Sequence, residues 1–449
     1  MNPTEAYYKK MSETPVSQLI TKLGIPTTVS MLVTSIYNMA DTYFVGELGE
    51  SQQAATGILF TLQAIIQAVS FMLGQGSGTL VSKALADKNA KEASSYVSTA
   101  FFTGAAVGTA LMTLGLLFLN PLLRLLGSTD TILPYARDYG MWVLLACPFM
   151  VCSFVLNNNL RYEGKALYAM FGLVTGSVIN IFGDWLLIRV LSMGVFGAGL
   201  STAVSQVIST VLLFIFHRKM AQGRINPKFI SKKLKTYLTI MKVGFPALIR
   251  QGLTSISNGL LNNLTKPYGD AAIAAMSVVG RYSMLVMCVG LGIGQGFQPV
   301  ASFNYQAKKY RRVKQGLLFT MAAGFGLVFI MSLPGLIAPE FIVSLFQKSE
   351  EVIEIGGFAL RAASIGVLFL PLSIPVNMLY QSIRKAGVSS VLSMLRSGLM
   401  LIPTLLITTT LWGLTGVQIS QPAADVLTGL TCIPFILYFL KKTPNDNAE

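Results

Sequence analysis

Apolar residues in this chain arrive in blocks of about 20, the length a helix needs to cross about 30 Å of hydrocarbon. Twelve blocks can be marked, at roughly 17–44, 53–80, 95–119, 134–158, 167–188, 194–217, 237–262, 273–300, 315–337, 353–378, 391–411 and 418–440. Breakers such as Pro121, Gly127 and Ser128 separate the third from the fourth. The short links at 189–193 and 412–417 predict tight hairpins, and the twelfth block starts among Gln418, Gln421, Pro422 and Asp425. Composition supports a membrane reading: 53% of residues are hydrophobic and 12% charged, against roughly 25% charged in soluble domains. Although 449 residues would suffice for several soluble domains, that class is excluded. Met1–Ser12 is polar and the first apolar block runs into more membrane-like chain, so no cleavable leader is expected. Cys147, Cys152, Cys288 and Cys432 lie in apolar stretches without ligand spacing, and His217 is the sole histidine. Neither a disulfide framework nor a resident metal or other cofactor is expected.

A net charge of +15 would suggest a nucleic-acid partner if the charges formed one surface. They fall between the blocks instead, and they alternate sides. One side holds Lys9, Lys10, Lys22, Lys83, Lys88, Lys91, Arg161 and Lys165. It continues with seven basic residues from Arg218 to Lys235, then Lys242, the Lys308–Lys314 group, Arg384, Lys385, Lys441 and Lys442. Only Arg124, Arg137, Arg189, Lys266 and Lys348 fall on the other. This bias predicts cytoplasmic termini and membrane lipids, not nucleic acid, as the surroundings.

The chain also repeats itself. At an offset of 220, Lys22 meets Lys242, Gly24-Ile25-Pro26 meets Gly244-Phe245-Pro246, and Asn38 meets Asn258. Gly74-Gln75-Gly76 likewise meets Gly294-Gln295-Gly296, and Asn157 meets Asn377; at an offset of 219, Ser201 meets Ser420. An even number of crossings per copy gives both copies the same orientation. The expectation is an all-α polytopic membrane protein with twelve transmembrane helices in two pseudosymmetric six-helix bundles. The lobes are 1–217 and 237–449, the basic connector is 218–236, and a binding cavity is expected between the lobes.

Few acids interrupt the apolar blocks. Asp41 stands 17 residues after Gly24, about 25 Å along the first helix. Asp184 lies near the outward end of the fifth block, Asn180 precedes it by one turn on the same face, and Thr202 follows on the sixth. Burial and a neighbouring acid both disfavour ionisation, so such a pair can hold protons near neutral pH. Asp41, Asn180 and Asp184 could equally surround Na⁺. Asn157 belongs to an Asn157-Asn158-Asn159 run only four residues before Arg161, at a different depth from Asp41. In the second copy Leu261 and Thr404 replace the two acids, so ion coupling is expected in the first. Arg250, Arg281, Arg361 and Arg396 interrupt later blocks and are expected to snorkel or pack, with pairing to Asp425 or contact with anionic lipid or substrate as the alternatives. Pro26 sits on the helix of Asp41, where a missing hydrogen bond favours bending. Tyr37 and Asn38 are assigned to the substrate cavity.

Residues 37–46 (YNMADTYFVG), Leu160-Arg161-Tyr162-Glu163-Gly164, Asn180-Ile181-Phe182-Gly183-Asp184 and residues 194–202 (GVFGAGLST) together resemble the MATE family of multidrug and toxic-compound extrusion transporters, in its bacterial MepA-like and DinF-like branch. The resemblance covers about residues 15–440. It implies a secondary active antiporter of the bacterial cytoplasmic membrane, working as a monomer by alternating access. Such a protein would export amphiphilic, cationic drugs or toxic compounds in exchange for H⁺ or Na⁺. It also implies that Asp41, Asn157, Asn180, Asp184 and Thr202 form the coupling network and that Pro26 is the bending residue. Many relatives carry proline after the second acid, where this chain has Trp185.

A flippase for a lipid-linked intermediate is the competing transport reading, and it should need more cationic residues in its cavity. The enzyme reading, an intramembrane aspartyl protease using Asp41 and Asp184, lacks the Gly-x-Gly-Asp pattern because the second site reads Ile181-Phe182-Gly183-Asp184. No Gly-x-x-x-x-Gly-Lys-Ser/Thr motif is present, which argues against ATP-driven transport.

Overall fold

A computed structural model of the chain describes residues 3–444. Residues 1–2 and 445–449, the ends of the termini that the charge pattern assigns to the cytoplasm, lie outside the described residues. Among the described residues every regular element is helical. The first eight helices are α1 (Pro3–Glu13), α2 (Val16–Gly46), α3 (Glu50–Ala86), α4 (Ala90–Leu117), α5 (Leu119–Leu125), α6 (Leu133–Tyr162), α7 (Ala166–Asp184) and α8 (Gly194–Met220). They are followed by α9 (Leu234–Thr265), α10 (Gly269–Gln306), α11 (Tyr310–Ile337), α12 (Pro339–Ser344), α13 (Glu350–Gly366), α14 (Leu370–Ser382), α15 (Ala386–Met394) and α16 (Leu401–Lys442).

Among the described residues ten stretches are long and apolar enough to cross a membrane, and two of them are double. Leu234–Gln306 contains α9 and α10, separated by a 3₁₀ turn at Lys266–Tyr268. Ala386–Lys442 reverses at Gly413, whose φ of 56° and ψ of −129° suit a residue without a side chain. The Thr408 hydroxyl closes that hairpin by donating to the Gly416 carbonyl at 2.8 Å. Twelve crossings result, as the hydropathy blocks predict.

Two crossings widen into π-helical turns, Trp185–Val190 after α7 and Leu395–Met400 between α15 and α16. Trp185 keeps the backbone N–H that a proline would lack, so the helix continues past Asp184 as a wider turn. A side-chain cap opens α4, where Asn89 Oδ1 accepts from the Glu92 N–H at 3.0 Å. Asn89→Ala should lower stability by about 1 kcal/mol, read as a reduced melting temperature in detergent, and Asn89→Asp should show no such loss.

The chain divides into two compact units. The first, Met1–Met11 with Val29–Gln251, is built on an apolar core that includes Leu59, Ile66, Val143, Val151, Ile240 and Val243. The second is Ser12–Thr28 with Gly252–Glu449, packed around Ala275, Val343 and Leu360 and, separately, Val286, Val328 and Leu370. Each repeat's opening helix therefore contributes its first part to the unit built mainly from the other repeat.

Glycine makes both attachments possible. In the first unit a Cβ on Gly76 of α3 would lie 2.2 Å from the Ile240 carbonyl oxygen of α9. One on Gly244 would lie 1.8 Å from the Met72 carbonyl oxygen. In the second unit a Cβ on Gly296 of α10 would lie 2.5 Å from the Gly24 Cα of α2. Small residues thus let helix backbones approach where no larger residue fits. The two contacts use repeat-related positions, because Gly24 matches Gly244 and Gly76 matches Gly296.

Candidate functional site

Inside the first unit, α2, α6, α7 and α8 converge on a polar cluster that holds both acids of the first copy. Asp41 is 2% exposed and Asp184 is fully buried. The Tyr139 hydroxyl of α6 donates to Asp41 Oδ2 at 2.9 Å and stands 3.4 Å from the Thr202 hydroxyl of α8. Asn180 Nδ2 donates to Thr202 Oγ1 and Ser201 Oγ, each at 3.3 Å, and Ser201 Oγ donates to the Asn180 carbonyl at 2.9 Å. Asp184 follows Asn180 by one helical turn, close enough for its charge to interact with that of Asp41. Two glycines permit this convergence: a Cβ on Gly183 would lie 2.4 Å from Ser201 Oγ, and one on Gly199 would lie 3.1 Å from the Tyr139 Cα.

The cluster is short of donors. Asp41 Oδ1, Asn180 Oδ1 and both carboxylate oxygens of Asp184 are buried without a hydrogen-bond partner. All four are acceptors, and a buried acceptor left unsatisfied is costly. A proton on either acid supplies a donor, and a cation bound by these oxygens would supply charge. Among the described residues no group of three His, Cys, Asp or Glu side chains could hold a metal ion.

Asp41, Asn180, Asp184 and Thr202 are thus brought together, and Asn157 is not. Its Nδ2 donates to the Ala169 carbonyl at 3.0 Å, tying α6 to α7. The repeat mate Asn377 ties α14 to α15 in the same way, donating to the Ser389 carbonyl at 2.9 Å. A bond repeated at the same offset in both copies is a helix–helix fastening. Tyr37 lies one turn before Asp41 on α2, and both it and Asn38 are half-buried. Pro26 is buried within the continuous helix α2, two residues before that helix passes from the second unit to the first.

Tyr139 and Ser201 are the members that sequence reasoning missed. A signal existed: Asp41, Tyr139 and Thr202 lie five, six and eight residues from the corresponding ends of α2, α6 and α8, about 8–12 Å in each case. Residues at equal depth on neighbouring crossings can meet. At the end of α2, Glu47 pairs with Arg189 of the π turn after Asp184, Arg189 Nε donating to Oε2 at 2.9 Å. Those hydrogen bonds hold the exposed Glu47 carboxyl below its ordinary range.

Arg396 departs from the expectation of packing or snorkelling. Its Nε donates to Asp425 Oδ1 at 2.7 Å and its Nη2 to Oδ2 at 3.4 Å, while Gln421 Nε2 donates to Oδ1 at 3.0 Å. Arg361 instead forms an exposed pair with Glu340 at 3.2 Å.

Glu163, just past the end of α6, anchors the connector. Its carboxylate accepts from the backbone N–H groups of Gln222 and Gly223, and the Ser98 hydroxyl donates to the Arg224 carbonyl at 2.9 Å. Burial pushes the Glu163 carboxyl from 4.5 up to about 7. Between those values the unfolded chain has released this proton and the folded chain retains it, so stability falls as pH rises through the window. The expected loss is about 3 kcal/mol. Glu163→Gln should flatten that part of the melting-temperature profile, and an unchanged slope would assign it to other groups.

The MatE family profile matches residues 26–186 and again 246–406, both ends displaced by the same 220 residues. The multidrug export protein MepA of Staphylococcus aureus is 25% identical over 452 aligned positions, covering 100% of this chain and 99% of that protein. A crystal structure of MATE in complex with MaL6 superposes with a TM-score of 0.91 at 23% identity, covering 96% of this chain and 99% of the other. An outward-facing multidrug resistance MATE transporter of the MOP superfamily gives 0.90 at 23% identity, covering 96% and 98%.

Proposed function

Because the chain belongs to the MATE family of multidrug efflux transporters, we propose that it is a secondary antiporter exporting amphiphilic, cationic small molecules in exchange for H⁺ or Na⁺. Family membership places it among multi-pass membrane transporters, not enzymes, and removes the aspartyl-protease reading. The relative named a multidrug export protein matches along its whole length, which supports small-molecule export. On this reading the lobes 1–217 and 237–449, joined by 218–236, are the functional halves. The protein works as a monomer in a bacterial cytoplasmic membrane with both termini inside.

The observation that carries the coupling proposal is the group of four buried acceptor oxygens on Asp41, Asn180 and Asp184. Two carboxylates in a poorly hydrated site resist simultaneous ionisation, so a proton or Na⁺ binds there more tightly than in an open, wetter state. That difference in affinity is what lets the ion bias the conformational equilibrium. Tyr139, whose hydroxyl stands near that of Thr202, holds the first acid, and Asn180 holds the second acid's helix against α8. Pro26, on the helix of Asp41, is the position where a change in curvature is absorbed.

The test is a cationic dye in vesicles reconstituted with purified protein, its flux followed under separate pH and Na⁺ gradients. Flux should respond to one gradient and be abolished when that gradient is collapsed. Flux indifferent to both would overturn antiport, and no flux across a panel of cationic dyes would favour the flippase reading.

A further inference from the structure

The second unit contains a charge cluster that this coupling scheme leaves unused. Arg396 lies in the π turn between α15 and α16, ten residues after Ala386, about 15 Å into that crossing. Its side chain is 22% exposed, whereas that of Asp425 is 2% exposed. Two of its nitrogens are committed to Asp425, and the third, Nη1, points at Met287 Sδ of α10 at 2.9 Å. A thioether sulfur is a weak acceptor, so one edge of the guanidinium faces no strong partner. Exposed apolar residues near it on the same crossing include Val391, Met394 and Leu399, whereas the contacts of Arg396 are to α10 and α16. Gln421, which braces Asp425, stands 219 residues after Thr202, so this cluster occupies ground in the second copy that adjoins the repeat position of the acid site.

We propose that Arg396 determines specificity by recognising a carboxylate on zwitterionic amphiphiles, with Asp425 as the positioning residue that fixes its guanidinium. The inference rests on the export reading above and extends its substrate class from cations to zwitterions. A carboxylate oxygen taking the place of Met287 Sδ at Nη1 would receive a charge-assisted hydrogen bond without disturbing either bond to Asp425. Because Asp425 already immobilises the fork, little further side-chain ordering is needed. The Arg396–Asp425 pair is neutral overall, and a zwitterion brings its own compensating cation. A simple monocation gains nothing from this donor.

The decisive comparison uses fluorescence anisotropy with a rhodamine methyl ester, a monocation, and its free acid, a zwitterion at neutral pH. Both should bind the purified full-length protein in detergent. The double variant Arg396→Gln/Asp425→Asn removes both charges and leaves neither buried partner unpaired. It should weaken free-acid binding by about tenfold or more while leaving the ester within about twofold, inside ordinary experimental spread. Arg396→Lys, which keeps the charge without the planar fork, should fall between for the acid alone. Equal losses for both dyes would assign the pair a purely structural role and overturn the proposal, as would no change for either. Wild-type protein that binds the ester but not the acid would sink this inference and leave the export reading standing. Binding of neither dye would remove both.

Discussion

Asp41→Asn should yield a folded, membrane-inserted protein that still binds substrate but loses gradient-driven export by at least about tenfold. The amide retains an oxygen to accept the Tyr139 hydroxyl, so the 2.9 Å bond that anchors this position survives. What disappears is the titrating charge. Asp184→Asn should behave similarly, and its amide can satisfy a buried acceptor that now has no partner. Leu261 occupies the repeat position of Asp41 and packs against an apolar cluster, so Leu261→Met should be nearly silent. Ion-driven flux at matched protein content in vesicles makes the comparison. Normal, ion-dependent flux in both aspartate variants would exclude this cluster as the coupling element and turn attention to Asp425.

Gly244→Ala should be the most damaging single methyl added to the first unit. Its Cβ would fall 1.8 Å from a backbone carbonyl oxygen, and backbone cannot rotate away as a side-chain tip can. Overpacking typically costs 1–3 kcal/mol, and the expected effect here is at the upper end, about 3 kcal/mol. Gly76→Ala meets the same helix pair from the other side and should act alike. Gly252, on the same helix as Gly244, has no neighbour within 4 Å of its would-be Cβ. Gly252→Ala should therefore be neutral or slightly stabilising. Melting temperatures and yields of the three variants in one detergent give the ranking, and equal behaviour of Gly244→Ala and Gly252→Ala would contradict the close approach.

The crossings could be located from sequence because each must bury its own backbone hydrogen bonds, which forces long apolar runs. Doubling was visible for a related reason: Gly74-Gln75-Gly76 and Gly294-Gln295-Gly296 both sit where helices touch closely, and such contacts tolerate little substitution of shape. Asp41, Asn180, Asp184 and Thr202 could be grouped from helical periodicity and depth. Tyr139 could not be picked out among sixteen tyrosines without knowing which crossing neighbours α2. Asn157 shows the opposite limit, since a polar residue inside a span serves helix fastening as readily as ion coupling, and its bond to the Ala169 carbonyl, which fastens α6 to α7, is not legible in the sequence. The pairing of Arg396 with Asp425, 29 residues apart, likewise depends on how the hairpin at Gly413 returns.

The exchange of opening segments also governs the order in which the molecule can be made. The first unit needs the chain up to Gln251, beyond the end of the first repeat, before its own set of segments is complete. Ser12–Thr28 is synthesised before any of Val29–Gln251, yet it belongs to a unit whose remaining chain starts at Gly252. Neither repeat is therefore a self-sufficient folding unit, although each carries six crossings. A chain cut in the connector would give two fragments that each lack a segment the other owns, and the native arrangement could form only by reciprocal donation. Duplication supplied two similar halves, and the crossover of their first helices made each obligatory for completing the other.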